Sequence, residues 1–174
     1  MRITLAVTEE DRRIAWLAGL ALGLTLAENA IPSPLPGVKP GLANIVTLVV
    51  LERFGWRVAA WVSLLRVVAG GMLLGTFLSP GFVLSLAGAL AALVALAATR
   101  GLPAAWFGPV THSVVAALAH LSAQLAVVYL WLIPHAGLFA LTPLFVAAAL
   151  VFGTLNGLAA AHLLARLPGR AAPA

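Results

Sequence analysis

Long apolar runs alternate along the chain with short clusters of Pro, Gly and charge, and this rhythm predicts about six helices. The first runs from Ile14 to Ile31 and stops at the breaker-rich loop Pro32-Ser33-Pro34-Leu35-Pro36-Gly37. The second, Gly41 to Phe54, is short for a membrane crossing, which takes ~20 residues. The third spans Trp56 to Leu78 and carries Gly70-Gly71; after Ser79-Pro80-Gly81 the fourth covers Phe82 to Thr99. Arg100-Gly101-Leu102-Pro103 interrupts again, and the fifth extends from Trp106 to Leu132. Pro134-His135-Ala136-Gly137 connects it to the sixth, Pro143 to Leu167. Residues 1–13 hold six of the fifteen charges and read as a cytoplasmic lead. Residues 14–167 then form one transmembrane domain, and 168–174 a disordered tail.

Composition turns these runs into membrane helices. Hydrophobic residues make up 63% of the 174 and charged residues 9%, against roughly 45–50% and 25% in soluble domains. The mean hydropathy is +1.09. Too few polar side chains exist to cover a water-facing surface, so the predicted fold is an all-α integral membrane bundle. The first apolar run is too long for a signal-peptide core and lacks a clean cleavage site, so it reads as a retained helix. Cysteine is absent, which excludes disulfides and thiolate chemistry.

The net charge of +5 comes from basic residues placed singly between apolar runs, which argues against nucleic-acid binding. It fits topology instead. With six spans and both termini in the cytoplasm, Arg2, Arg12, Arg13, Arg53, Arg57, Arg100, Arg166 and Arg170 all face inward. Lys39 alone lies outside and Arg66 lies within a span, as the positive-inside rule expects. The expected location is the bacterial cytoplasmic membrane, crossed several times.

Polar groups inside these spans are costly and mark candidate chemistry. Glu28 and Asn29 end the first span, Asn44 starts the second, Arg66 lies in the third, and Asn156 in the sixth. His120 and Gln124 share a face of the fifth span with His112 and Ala116. Most fall at similar depth, which predicts a polar pocket in the outer half of the bundle. A guanidinium keeps its proton and needs a partner, and Glu28 is the acidic residue expected to pair with Arg66 or share a ligand with it. The alternatives are a register-fixing Glu28–Arg66 bridge and a plain interhelical hydrogen bond for His120 and Gln124. Glu52, Arg53 and Arg57 read as an ordinary cytoplasmic turn, and His112 and His120 have no carboxylate nearby in sequence, a poor metal set.

Small residues recur every fourth position in two spans: Ala15, Gly19, Gly23 and Ala27, and Ala149, Gly153, Gly157 and Ala161. Such stripes allow close backbone approach, either within the bundle or against another membrane subunit. No phosphate loop, HExxH, GxSxG or paired-aspartate motif occurs, so neither an enzyme nor a cofactor or metal is expected.

The run Pro34-Leu35-Pro36-Gly37-Val38-Lys39-Pro40-Gly41-Leu42-Ala43-Asn44-Ile45-Val46-Thr47-Leu48 resembles the "PGVKLGLANIVTL" block of a bacterial membrane family. That family is known as Gx transporter or heptaprenyl diphosphate synthase component I; Pro40 replaces its commoner leucine. Ser63-Leu64-Leu65-Arg66-Val67, Gly75-Thr76-Phe77-Leu78-Ser79-Pro80 and Leu84-Ser85-Leu86-Ala87-Gly88 are similar to its next block. Ala119-His120-Leu121-Ser122-Ala123-Gln124-Leu125 resembles "AHNxGQL", with Leu121-Ser122-Ala123 in place of Asn-x-Gly. The family is also similar to the substrate-binding subunits of energy-coupling-factor transporters. Those are six-helix proteins that capture a vitamin-like molecule outside and dock on a membrane partner, while separate ATPases supply energy.

The resemblance implies a solute-capturing subunit. Glu28, Lys39, Asn44, Arg66, His120 and Gln124 would form the site, residues 32–40 a gate, and Ala15, Gly19, Gly23 and Ala27 the face for a coupling subunit. Two other readings stand beside it: a non-catalytic membrane subunit for isoprenoid or quinone synthesis, and a structural assembly factor with a dry, closed interior.

Overall fold

A computed structural model describes residues 7–30, 40–99, 101–103 and 106–167. These form six helices and, among the described residues, no strand: α1 Glu9–Ala30, α2 Leu42–Phe54, α3 Trp56–Leu73, α4 Pro80–Thr99, α5 Pro109–Val127 and α6 Gly137–Arg166. Four of them, α3 to α6 with α5 extended to Leu132, are long and apolar enough to cross a membrane. α1 has the length but is charged at both ends, and α2 has only 13 residues, about 20 Å at 1.5 Å per residue.

The helix limits differ from the apolar runs where local chemistry intervenes. α1 starts at Glu9 because Thr8 and Asp11 cap each other: Thr8 N and Oγ1 donate to Asp11 Oδ2 at 2.9 and 2.7 Å, and Asp11 N donates to Thr8 Oγ1 at 3.1 Å. This reciprocal box satisfies donors that a helix start otherwise leaves open. The charged lead from residue 9 onward is therefore part of α1. α3 stops at Leu73, five residues early, because Gly75 turns left-handed (φ 66°) and Thr76 N bonds back to Gly71 O at 2.8 Å. Phe82 then folds onto Gly71, where a Cβ would stand 2.7 Å from its ring. α5 begins at Pro109 behind Gly108, a position that tolerates a missing N–H. It ends in a π-helical turn, Val128–Leu132, closed by Ile133 N on Val128 O at 2.7 Å. α6 begins six residues early and runs through Pro143.

The helices pack as two sets of three, α1–α2–α3 and α4–α5–α6, joined where α2 meets α5 and α6 and where α3 meets α4. α2 is the centre: Ala43, Val46, Thr47, Leu48, Val50 and Leu51 are all buried. One end of the bundle gathers the start of α1, the α2–α3 junction and the end of α6. Arg13 lies over the Phe54 ring at 4.8 Å, Arg57 reaches Glu10 at 4.0 Å, and Leu17, Val50 and Leu163 line one groove.

The two small-residue stripes part company here. Gly153 and Gly157 are buried against α5, where a Cβ on Gly157 would stand 2.6 Å from Val110 Cα. Ala15, Gly19, Gly23 and Ala27 are all exposed, and among the described residues nothing lies within 4 Å of a Cβ built on either glycine.

Candidate functional site

α2 is short because it begins inside the bundle. Asn156 Nδ2 donates to Pro40 O at 2.7 Å and to Gly41 O at 3.3 Å. Asn156 lies nineteen residues after Gly137 and ten before Arg166 in α6, so this anchor lies well below one end of the bundle, roughly 15 Å from the other. Gly41 takes φ 74° to turn the chain into the helix, a conformation that glycine adopts without strain. Non-helical backbone at membrane depth has to be buried in protein and hydrogen-bonded. Asn156 meets that need for the two carbonyls. Glu28 meets it for the Gly41 N–H, which donates to its carboxylate. A carboxylate there also complements the positive end of the α2 dipole.

Beside this half-helix lies a cavity of about 40 Å³. Its polar lining is Asn44 and Thr47 from α2, Ser63 and Arg66 from α3, Ser113 and His120 from α5, and Asn156 from α6; α4 adds Ala89, Ala92, Leu93 and Leu96. Arg66 Nη2 donates to Asn44 Oδ1 at 3.3 Å. Arg66 Nε and Thr47 Oγ1 are buried and have no hydrogen-bond partner among the described residues. Buried polar groups left unpaired are rare, so two on one small cavity mark it as a place for water or a polar ligand atom. The space takes about three waters at ~10–15 Å³ each.

Of the six residues expected to bind a solute, Asn44, Arg66 and His120 meet at this cavity. Glu28 does not form the direct ion pair expected with Arg66, because its carboxylate holds the start of α2 instead. Gln124 donates to Leu84 O at 3.5 Å and ties α5 to α4 away from the cavity. Lys39 and the loop it belongs to, apart from Pro40, lie outside the described residues. The His120 ring fits because residue 88 is glycine: a Cβ there would stand 2.5 Å from His120 Cε1. Asn156, on the wall of this cavity, lies about 15 Å along α6 from the end that carries Arg166.

Two features escaped the sequence reading. Asn156 was visible as a polar residue in α6, but its partners are backbone carbonyls 115 and 116 residues away. The pairing of His112 with a carboxylate was missed outright. His112 is 6% exposed, and its Nδ1 lies 3.0 Å from Glu52 Oε1, sixty residues off. Glu52 is thus not an ordinary turn residue; it is the partner of a buried imidazole and locks α2 to α5. Elimination could have found it, since Glu28 and Glu52 are the only carboxylates beyond the charged lead. Among the described residues no cluster of three or more His, Cys, Asp or Glu is placed to hold a metal.

No curated protein and no solved structure matches the chain significantly. A family match, however, covers residues 17–163, taking in most of α1 and α6, the four helices between them and all the residues around the cavity. The chain belongs to the heptaprenyl diphosphate synthase component I family.

Proposed function

We propose that the chain is a non-catalytic membrane subunit that serves heptaprenyl diphosphate synthesis by holding a soluble synthase at the bilayer. The family match over residues 17–163 carries this reading. The carboxylate inventory supports the non-catalytic part. Glu9 and Glu10 pair with arginines at the surface, Asp11 caps α1, Glu28 caps α2 and Glu52 holds His112. That leaves none to gather magnesium around a diphosphate, which takes oxygen ligands, typically carboxylates. In this reading all six helices lie in a bacterial inner membrane with both termini in the cytoplasm. The chain's lack of cysteine makes single-cysteine labelling a clean check of that topology.

The test is co-purification from gently solubilised membranes. Recovery of a soluble prenyl synthase, without ATPases, is the expected result. Recovery of ATPases and a membrane coupling protein instead would overturn it in favour of solute capture. Two observations keep that second reading in play: the unpaired Arg66 Nε and Thr47 Oγ1 on a cavity beside a half-helix, and the uncovered stripe on α1. Discontinuous helices whose N-termini reach mid-membrane are a recurrent way of building solute sites. Solute capture predicts that a small molecule stays on the purified protein and that Arg66→Ala releases it. At about 40 Å³ the cavity admits a vitamin-sized solute only if the bundle opens.

A further inference from the structure

Arg66 brings a permanent positive charge to the wall of the polar cavity between α2, α3, α5 and α6. All five carboxylates of the chain lie among the described residues, and none is in that wall. Four are engaged elsewhere: Glu9 with Arg12, Glu10 with Arg57, Asp11 with Thr8 and Glu52 with His112. The field of Glu28 reaches Arg66, but its carboxylate accepts the Gly41 N–H at the start of α2 and forms no ion pair with the guanidinium. The acceptor that Arg66 does have is a neutral amide: Nη2 donates to Asn44 Oδ1 at 3.3 Å. Its Nε has no hydrogen-bond partner among the described residues.

The groups around this cation can all donate. The hydroxyls of Thr47, Ser63 and Ser113 share the wall, on residues only 6%, 3% and 5% exposed. Thr47 Oγ1, like Arg66 Nε, has no partner among the described residues. A hydroxyl serves an anion or a cation equally well, so the charge of Arg66 decides which of them fits. A buried ion that no counter-ion touches is costly. Hydrogen bonds from a guanidinium to an ionised acceptor are about twice as strong as those between neutral groups. Water would fill the space and still leave the guanidinium without an anionic contact. We infer that this cavity binds one small monovalent anion, chloride or a carboxylate the size of formate, against Arg66 Nε and Thr47 Oγ1. Its volume of about 40 Å³ limits the ligand to roughly three non-hydrogen atoms, one for each water the space would take. α2, α3 and α5 each offer the anion a donor, so its binding ties the three helices together. The inference concerns the cavity alone and holds whether the chain serves a synthase or captures a solute.

Thermal melts of the detergent-purified full chain test it, at constant ionic strength, with gluconate replaced stepwise by chloride or by formate. Gluconate is too large to enter and sets the baseline. The melting temperature is expected to rise and saturate, by roughly 5–10 °C at 100 times the half-saturating concentration. The NMR line of chloride should broaden with the protein and sharpen again when formate competes. Arg66→Gln should abolish both responses. Thr47→Val keeps the shape and the charge, and should raise the half-saturating concentration about tenfold; it decides the question if Arg66→Gln does not fold. Arg57→Gln removes an exposed arginine that pairs with Glu10 and should leave both responses intact. Stabilisation by gluconate equal to that by chloride would overturn the assignment. So would an unchanged half-saturating concentration in Thr47→Val, a loss in Arg57→Gln as large as in Arg66→Gln, or binding of benzoate as tight as that of formate. None of these results bears on co-purification of a synthase, so failure here and failure of the proposed function are read separately.

Discussion

The stripe on α1 and the stripe on α6 have the same spacing and the same composition, yet one is sealed and the other open. In α6, Gly153 and Gly157 let the α5 backbone come so close that a Cβ at 157 would lie 2.6 Å from Val110 Cα. In α1, Gly19 and Gly23 face nothing within 4 Å. The difference teaches that small residues permit close approach without compelling it; the neighbour decides. α6 has α5 beside it, whereas α1 turns its buried face (Ile14, Ala18, Ala21) towards α2 and α3 and leaves the stripe outward.

The sharpest way to break this contrast is to add bulk at position 157. Gly157→Val places carbon against main chain that cannot swing aside. Forced overpacking typically costs 1–3 kcal/mol, occasionally more, and the upper end applies here. A thermal melt in detergent should show a large loss of stability, or no folded protein at all. A melt unchanged from wild type would mean that the α5–α6 seam is looser than described.

The next effects show how far the sealed side extends, because α5 is gripped on its other faces too. Glu52→Leu removes the partner of His112 and leaves both nitrogens of a buried ring unsatisfied. His112 Nε2 already lacks a partner. The expected loss is about 1–3 kcal/mol, the cost of a stranded buried polar group. His112→Leu added on top should recover much of it, since replacing both partners by apolar groups is far milder. Absence of such coupling in the double-mutant cycle would assign Glu52 to the surface. Gly88→Ala comes after these, at roughly 1–2 kcal/mol, because the His120 ring it displaces is a side chain that can rotate. It should also perturb the polar cavity, read as altered hydrogen–deuterium exchange around Asn44 and Arg66.

How much of this was legible in the sequence follows the same logic. Six apolar runs punctuated by Pro and Gly gave six helices, four of them long and apolar enough to cross a membrane, and in hydrocarbon a backbone has few other ways to satisfy its own groups. Helix ends shifted where side chains acted on the main chain locally, as with the Thr8–Asp11 box or the Gly75 turn. The candidate site was half visible. Arg66, Asn44 and His120 converge as their depths suggested. But depth along a helix is one coordinate, and facing direction is another. Glu28 sits near Arg66 in height and still serves Gly41, because the start of α2 presents an open N–H inside the bundle. His112 and Glu52 sit close together because α2 and α5 are neighbours, which no local pattern records.

The smallest effect on stability is expected where the contrast matters most for function. Gly19→Leu with Gly23→Leu adds two large side chains to a face that, among the described residues, touches nothing at either glycine. Stability should stay within about ±0.5 kcal/mol of wild type, as for surface changes away from packed features. Any partner that needs close backbone contact with α1 would be excluded. The informative measurement is therefore the same membrane pull-down, run with this variant. Loss of the partner at unchanged melting temperature would assign the open stripe to an intermolecular seam built like the one between α5 and α6. Full retention of the partner would leave the stripe as a lipid-facing surface and move the search for the interface elsewhere. A drop in melting temperature as large as that for Gly157→Val would erase the distinction between the two stripes, because it would mean that α1 is covered within the bundle after all.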